Sequence, residues 1–199
     1  MTGRFGDDGQ TLGLYIVAFA ALLFLGFAYF AVGQAAVNRN GSQTAADAAA
    51  LAAAREARDE VRVPFLAALK AGDIAALQNL LRGDGMNGVG ACAAAADYAS
   101  ANHASVQGGS CQRVDDPPGY SVAVTNDRSV GKSVVDGTEN VHSTAHATAV
   151  VQSRCQVVGP AGDAVVFSCT GGSGEVRIDP TGGGFVLDLS VFYSVHLTS

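Results

Sequence analysis

The stretch QTAADAAALAAAREARDEVR, Gln43 to Arg62, decides how this chain is built. It starts as nearly continuous alanine, the residue with the highest helix propensity, and it contains no proline. Its charged end places Arg55 and Asp59 at the i, i+4 spacing of a helical pair. We therefore expect a helix that stops at Pro64, with an alanine face suited to close packing against a sheet or another helix.

The segment before the alanine stretch is strongly apolar. Residues 11–37 read TLGLYIVAFAALLFLGFAYFAVGQAAV, and no charged residue lies between Asp8 and Arg39. As a helix this segment is about 40 Å long, whereas the hydrocarbon core of a bilayer is about 30 Å thick. The alternatives are a buried core helix and a removable signal peptide, whose apolar core usually spans about 7–15 residues. We interpret 11–37 as one permanent transmembrane helix, preceded by a cytoplasmic tail (1–10) and followed by a stalk helix (38–63).

Small residues follow one side of the apolar segment. Ala28, Ala31 and Ala35 share a helix face, with Gly26 and Gly33 nearby. Small side chains at such spacing let helix backbones approach each other in lipid. These five residues are therefore candidates for packing against a partner helix.

Two signals give opposite orientations for this anchor. The tail carries Arg4, whereas four arginines follow the apolar segment, and a bare count of positive charges would place the C-terminal side in the cytoplasm. The four cysteines favour the other side, because an even number in an exported domain is typical of two disulfides, which need an oxidising compartment. We expect the C-terminal domain to lie outside the cytoplasmic membrane. The arginines after the segment are Arg39, Arg55, Arg58 and Arg62.

The cysteines allow three pairings, and the local ones are favoured. Cys155 and Cys169 flank QVVGPAGDAVVFS, which predicts a strand, a Gly-Pro turn and a second strand, so its ends should meet. Cys92 and Cys111 form the other local pair. Structural zinc sites usually contain cysteines in close C-x-x-C pairs, and this sequence has none.

Composition argues against one class of partner. The 199 residues include 12 basic and 18 acidic side chains, for a net charge of −6. Unspecific binding to nucleic acid needs a basic face that displaces counterions from phosphates. We therefore expect no nucleic-acid partner.

Residues 64–199 predict an α+β domain, and short helices come first. Phe65 to Ala71 is one, and Asp73 is a suitable N-cap for IAALQNLL, residues 74–81. The sequence ACAAAADYASA, residues 91–101, is helical again, and the polar stretch 108–119 is interpreted as a connection.

Alternating apolar residues then predict strands over 120–125, 141–151 and 184–199. Glycine-rich turns between them favour antiparallel hairpins in a sheet of about four to six strands, with one face under the helices and the stalk. One predicted face of 141–151 comprises Val141, Ala145, Ala147, Ala149 and Val151. In the last strand Phe185, Leu187, Leu189, Val191, Tyr193, Val195 and Leu197 are expected to point one way, and Asp188, Ser190, Ser194 and His196 the other.

Few residues indicate chemistry. His142 and His146 are four residues apart on a predicted strand, about 13 Å, which is too far for one metal ion. The sequence VGKS at 130–133 ends like a phosphate loop, but Asn126 stands where that motif needs glycine. We expect no metal, no cofactor, no small-molecule substrate and no catalytic residue.

The join between the apolar segment and the alanine stretch resembles a known family. Gly9-Gln10 before the apolar helix and QTAADAAALAAA after it are similar to the N-terminal region of TadE/TadG-like proteins of tight-adherence (Flp-type) pilus systems. The resemblance covers roughly residues 5 to 60. The matching residues are Gly9, Gln10, Gln43, Thr44, Ala45, Ala46, Asp47, Ala48, Ala49 and Leu51.

The resemblance implies a membrane-anchored, pilin-like accessory protein without an active site. Its expected role is structural, in the assembly or the tip of a Flp pilus or a related secretion machine, through helix and domain packing with other pilin-like proteins. An alternative is an anchored binding module, an adhesin or a ligand sensor, that reads its ligand with the polar sheet face bearing His142, His146 and His196. An exported enzyme is a third hypothesis, which no constellation of acid, base and nucleophile favours.

Overall fold

A computed structural model describes residues 10–129, 140–171 and 174–198. The expected tail of residues 1–10 lies almost entirely outside these residues. Four helices come first in the described chain: α1 (Gln10–Glu60), α2 (Arg62–Ala71), α3 (Ile74–Leu81) and α4 (Ala91–Ala101). Seven strands follow: β1 (Ala104–Asp115), β2 (Pro118–Ser129), β3 (His142–Ser153), β4 (Cys155–Ala161), β5 (Ala164–Cys169), β6 (Glu175–Ile178) and β7 (Tyr193–Thr198).

The strands form two antiparallel sheets beside the helices, so the α+β class is confirmed. The first sheet has the order β1-β2-β3-β7, and the second has the order β4-β5-β6. The predicted strand count of about four to six therefore fits the larger sheet, and the second sheet is an addition to it. The chain passes from one sheet to the other at Arg154, between β3 and β4.

Helix α1 is 51 residues long and has two different environments. From Leu12 to Val37 its large apolar side chains are exposed. Beyond Ser42 one face is buried against β2, β3 and α4. Most of the buried residues recur every four positions, at first as neighbouring pairs, which aligns them along one stripe of the helix: Ala45, Ala46, Ala49, Ala50, Ala53, Ala54, Ala57 and Val61.

Alanine at these positions is what allows the helix to lie close to the sheet. The facing strands contribute Val122, Val124 and Ala149, all at most 1% exposed. Interiors are packed as densely as organic crystals, so a larger residue in the stripe would have no room. The predicted close packing of the alanine face is confirmed on both a sheet and a helix.

A second part of the core lies where α2 meets the smaller sheet. Phe65 and Phe167 each lie 4.8 Å, centroid to centroid, from the ring of Phe192. Tyr193 packs edge-on to Phe65. Aromatic pairs of this geometry contribute about 0.5–1.5 kcal/mol beyond the area that they bury.

The local helix predictions are confirmed in detail, with one correction. Asp73 caps α3, since its Oδ1 accepts a hydrogen bond of 2.9 Å from the Ala76 N–H. Pro64 does not stop the stalk: α1 ends at Glu60, and Pro64 lies in the first turn of α2. A proline is tolerated in that turn because its missing N–H would have no helical partner.

The stretch 108–119 is not a connection, and that expectation was wrong. Strand β1 continues to Asp115 and β2 begins at Pro118. Strand β1 is an edge strand with mostly exposed, polar side chains. An edge strand needs no alternating apolar pattern, so its composition resembles that of a loop.

The last predicted strand is also shorter than expected. Asp188 does not point away from a strand; its Oδ1 accepts a hydrogen bond of 2.9 Å from the Ser190 N–H and caps a short 3-10 helix, Leu189–Val191. The predicted alternation therefore fails before Tyr193: Val191 is 37% exposed and Phe192 is buried.

Two smaller expectations also need correction. Val141 precedes β3 and is half-exposed, whereas Ala147, Ala149 and Val151 do face the core. The hairpin between β4 and β5 turns at Gly162-Asp163 and not at the Gly-Pro pair, because Ala161 pairs with Ala164.

Both local cysteine pairs are disulfides in the structure. Cys92 is bonded to Cys111, which ties α4 to β1. Cys155 is bonded to Cys169, which ties β4 to β5. Loops of 19 and 14 residues each give about 3 kcal/mol of stability in the chain-entropy account.

Candidate functional site: the junction of anchor and domain

The carbonyl of Asn38 is the centre of a polar cluster where α1 enters the domain. It accepts hydrogen bonds from Ser42 Oγ at 3.0 Å, Ser143 Oγ at 3.1 Å and Asn126 Nδ2 at 3.5 Å. The amide of Asn38 donates in turn to the Ser129 carbonyl at 3.3 Å. We call Asn38, Ser42, Asn126 and Ser143 the junction cluster.

Two residues of the junction cluster are buried, and Asn38 and Ser143 are partly buried. Ser42 is 0% exposed and Asn126 is 7% exposed. The hydroxyls of Ser42 and Ser143 also contact each other. Hydrogen bonds that are shielded in this way are costly to leave unmade, so the cluster fixes the helix to the ends of β2 and β3.

Exposed polar residues extend this attachment by one turn. Gln43 donates to Asp47 Oδ1 at 2.8 Å and to the His146 carbonyl at 3.4 Å. Thr44 Oγ1 donates to the Asn40 carbonyl at 3.0 Å. Helix α1 therefore remains helical through Asn40-Gly41 and is held on the sheet immediately after its apolar half.

The far end of the buried half is held by charged side chains. Glu60 accepts hydrogen bonds from the Gly88 N–H at 2.7 Å and the Val89 N–H at 2.5 Å. Arg62 donates to the Leu187 carbonyl at 2.7 Å. Gly88 has φ +69°, and a Cβ there would overlap the Tyr120 hydroxyl, so only glycine fits this loop.

The structure divides the predicted packing residues into three groups. Ala45, Ala46 and Ala49 are buried inside this chain's own fold. The remaining ones are at least partly accessible or lie in the apolar half, where a Cβ at Gly26 or Gly33 would meet nothing within 4 Å. The accessible members of the set are Gln43, Thr44, Asp47, Ala48 and Leu51, and those of the apolar half are Gly26, Ala28, Ala31, Gly33 and Ala35.

Sequence reasoning did not identify most of the junction cluster. Asn126 and Ser143 lie 88 and 105 residues along the chain from Asn38, and nothing local marks them. The one available signal was the i, i+4 pair Asn38 and Ser42, which directly follows the apolar segment.

The polar sheet face does not bring the three histidines together. His142 and His146 lie four residues apart on β3, and His196 pairs with Val150 further along it. The Nδ1 of His142 lies 2.7 Å from the Asn126 carbonyl. In the described ranges no three His, Cys, Asp or Glu side chains are grouped to hold a metal ion. The VGKS sequence at 130–133 lies outside these ranges.

Burial raises the pKa of two tyrosines in the domain. The hydroxyl of Tyr193 donates to the Leu80 carbonyl at 2.9 Å, and desolvation raises the pKa of this phenol strongly. Desolvation also raises the pKa of Tyr120, which donates to the Asn87 carbonyl at 3.4 Å. Both phenols therefore stay neutral at physiological pH and act as structural donors.

The apolar half of α1 is long and apolar enough to cross a membrane. Its best window of 18 residues has a mean hydropathy of 2.4, and none of that window is buried in the protein. Among the described residues it is the one such helix. These properties are consistent with single-pass membrane anchoring.

Residues 9–56 match the family described as "Putative Flp pilus-assembly TadE/G-like". The resemblance drawn from the residues at the join is thereby confirmed, and it supports a role in Flp/Tad pilus assembly. The matched segment contains the apolar half of α1, part of the junction cluster and most of the alanine stripe. No curated protein and no solved structure matches the chain.

Proposed function

We propose that this chain is a membrane-anchored minor pilin or pseudopilin-like protein, a non-catalytic component in the assembly or the tip of a Flp/Tad-type pilus or a related secretion machine. The observation that carries this proposal is the extent of the family match, 9–56, which joins the anchor to the core stripe. In this proposal the matched part of the chain connects a membrane helix to an outer domain.

The proposed arrangement has four parts. Residues 1–10 form a cytoplasmic tail, 11–37 cross the membrane, 38–63 form the stalk and 64–199 form the extracytoplasmic domain. The two disulfides support the outer location of the domain, because such bonds persist in oxidising compartments. The stalk is not a free spacer, since its alanine stripe is part of the domain core.

Two surfaces remain for partners in this arrangement. The small residues Ala28, Ala31 and Ala35 offer a close approach to another membrane helix. Outside the membrane, the accessible side chains of Gln43, Thr44 and Leu51 continue along the same helix. A partner on the first surface would be another membrane-anchored pilin-like protein.

Site-specific photo-crosslinking tests the proposal directly. A photoreactive residue at Ala28, Ala31 or Ala35 should capture a second membrane-anchored pilus-assembly protein, identified by mass spectrometry in cells that assemble the pilus. Phe30 lies on the opposite side of the helix and is the matched control, with weaker capture expected. Equal capture at all four positions, or capture of lipid alone, would contradict the proposal.

Sidedness needs a separate measurement. Protease shaving of intact cells, followed by non-reducing mass spectrometry, should release peptides of the domain with both disulfides intact. A protected domain with reduced cysteines would exclude the outer location.

A further inference from the structure

A polar groove of about 600 Å³ lies between α3 and the place where the chain passes from β3 to β4. Its lining includes Cys155, whose disulfide to Cys169 holds β4 and β5 together. None of its described lining residues is acidic. Its polar lining residues include Gln78, Arg82, Arg154, Gln156, Ser168 and Thr170.

The groove is at the end of the domain away from the anchor. Helix α1 meets the start of β3 at Ser42 and Ser143, and the groove adjoins the other end of β3 at Ser153. The helix from Ser42 to Glu60 rises about 27 Å along the sheet. In the arrangement proposed above, this end therefore points away from the bilayer.

Arg154 is rigidly placed at the groove. Its N–H donates to the Phe192 carbonyl at 2.8 Å, and its own carbonyl accepts from the Thr170 N–H at 2.7 Å. The Thr170 hydroxyl donates to the same carbonyl at 3.2 Å. In the described ranges its guanidinium makes one hydrogen bond, to the Thr170 carbonyl at 3.4 Å, which leaves its other donors for a ligand.

Arg82 places a second guanidinium on the same groove. It is the C-cap residue of α3, a position that favours a cation, and it is exposed. The ion pairs of the described chain join Arg58 and Arg62 to Asp59, and Arg113 to Asp115. Neither groove arginine takes part in them, although acidic residues outnumber basic ones in the whole chain.

We propose that this groove binds carboxylate side chains of an acidic peptide segment on a partner protein. Two guanidinium groups without acidic neighbours in the lining can each hold a carboxylate through paired N–H donors. The side chains of Gln78, Gln156 and Ser168 add neutral hydrogen bonds around them. The inference deepens the proposed function, since it names the chemistry of one partner contact at the end of the domain away from the membrane.

Binding of a defined peptide to the full chain in detergent micelles tests this inference. The probe is N-acetylated, C-amidated tetraglutamate with a fluorescent label, and tetraglutamine with the same label is its control. We expect saturable binding of tetraglutamate alone, which weakens as salt screens the charges. The double variant Arg82→Gln, Arg154→Gln should weaken it by about tenfold or more, because it removes two charge-assisted contacts.

Matched variants keep the test specific. Arg177→Gln removes a charge from β6, where that side chain donates to the Ala161 carbonyl and does not line the groove. It should leave binding unchanged. Arg82→Gln alone should weaken binding with an unaltered circular dichroism spectrum, which covers the case that Arg154→Gln disturbs the fold.

Three results would overturn the inference. They are equal binding by tetraglutamine, equal loss in Arg177→Gln, and binding of inorganic phosphate without binding of tetraglutamate. Each concerns the groove alone, whereas the crosslinking at Ala28, Ala31 and Ala35 concerns the anchor, so the two proposals can fail separately.

Discussion

The two halves of helix α1 share one continuous backbone but follow opposite packing rules. The half from Leu12 to Val37 carries large apolar side chains, and these are exposed. The half from Ser42 to Glu60 carries alanine, and the alanine stripe is buried. Lipid tails can fill the space around large side chains, whereas a sheet and a second helix fit closely only around small ones. The size of the side chains therefore indicates what surrounds each half of the helix.

The largest expected effect comes from enlarging the buried stripe. The double variant Ala49→Leu, Ala53→Leu should lower the free energy of unfolding by several kcal/mol, because each overpacked position typically costs about 1–3 kcal/mol. The same change at the exposed Ala35 should leave the domain's stability as it is. Urea denaturation in micelles, followed by circular dichroism, measures both. Equal losses of stability from the changes in the stripe and at Ala35 would contradict this explanation of the two halves.

The next effect comes from the disulfide at the groove. Replacing Cys155 and Cys169 together by alanine should cost about 3 kcal/mol, because a closed loop of 14 residues is released in the unfolded chain. The membrane association of the apolar half of α1 should not change. We therefore expect lower domain stability in urea with unchanged membrane association after alkaline extraction. Loss of membrane association would show that the halves are more dependent on each other than the structure indicates.

The junction cluster should give an intermediate effect. Ser143→Ala removes one of the donors to the Asn38 carbonyl and the contact with Ser42, at a cost of about 1 kcal/mol. Thr144→Ala changes an exposed neighbour on the same strand and is the control. Hydrogen exchange should be faster at residues 38–43 in the first variant and unchanged in the second. Identical exchange in both would mean that the cluster does not hold the helix.

The smallest expected effect on stability at pH 7 comes from Tyr193, and this effect depends on pH. The pKa of Tyr193 is raised in the folded state by desolvation, so its contribution to stability is complete below about pH 10 and is lost as pH rises beyond that value. Tyr193→Phe should be modestly less stable at pH 7, because the Leu80 carbonyl loses its donor. The loss of stability in Tyr193→Phe should become smaller at alkaline pH. A stability difference between this variant and the parent chain that stays constant from pH 7 to high pH would contradict the interpretation that the Tyr193 phenol is buried and neutral.

The sequence predicts the elements that carry their own local signal. The apolar length, the alanine propensity, the Asp73 cap and the spacing of the cysteines each act within a few residues or one loop. The edge strand β1 was missed because neither face of it needs an apolar pattern. The end of the last strand was misplaced because the Asp188 cap interrupts an alternation that otherwise continues.

The candidate site was predictable only in part, for a related reason. The residues of the alanine stripe were identified, but their role inside the domain depends on the sheet that covers them. The junction cluster needs Asn38 and Ser42 to meet Asn126 and Ser143, which only the folded topology brings together. The groove arginines likewise come from the C-cap of α3 and from the connection between the two sheets.

A distance measured along α1 tests most directly whether anchor and domain form one rigid unit. All four native cysteines are in disulfides, so Leu23→Cys and Arg55→Cys can be spin-labelled specifically in liposomes. We predict a single narrow distance distribution near 48 Å, the helical rise between the two positions. A broad distribution, or one centred well below that value, would show a hinge at the junction and contradict the account.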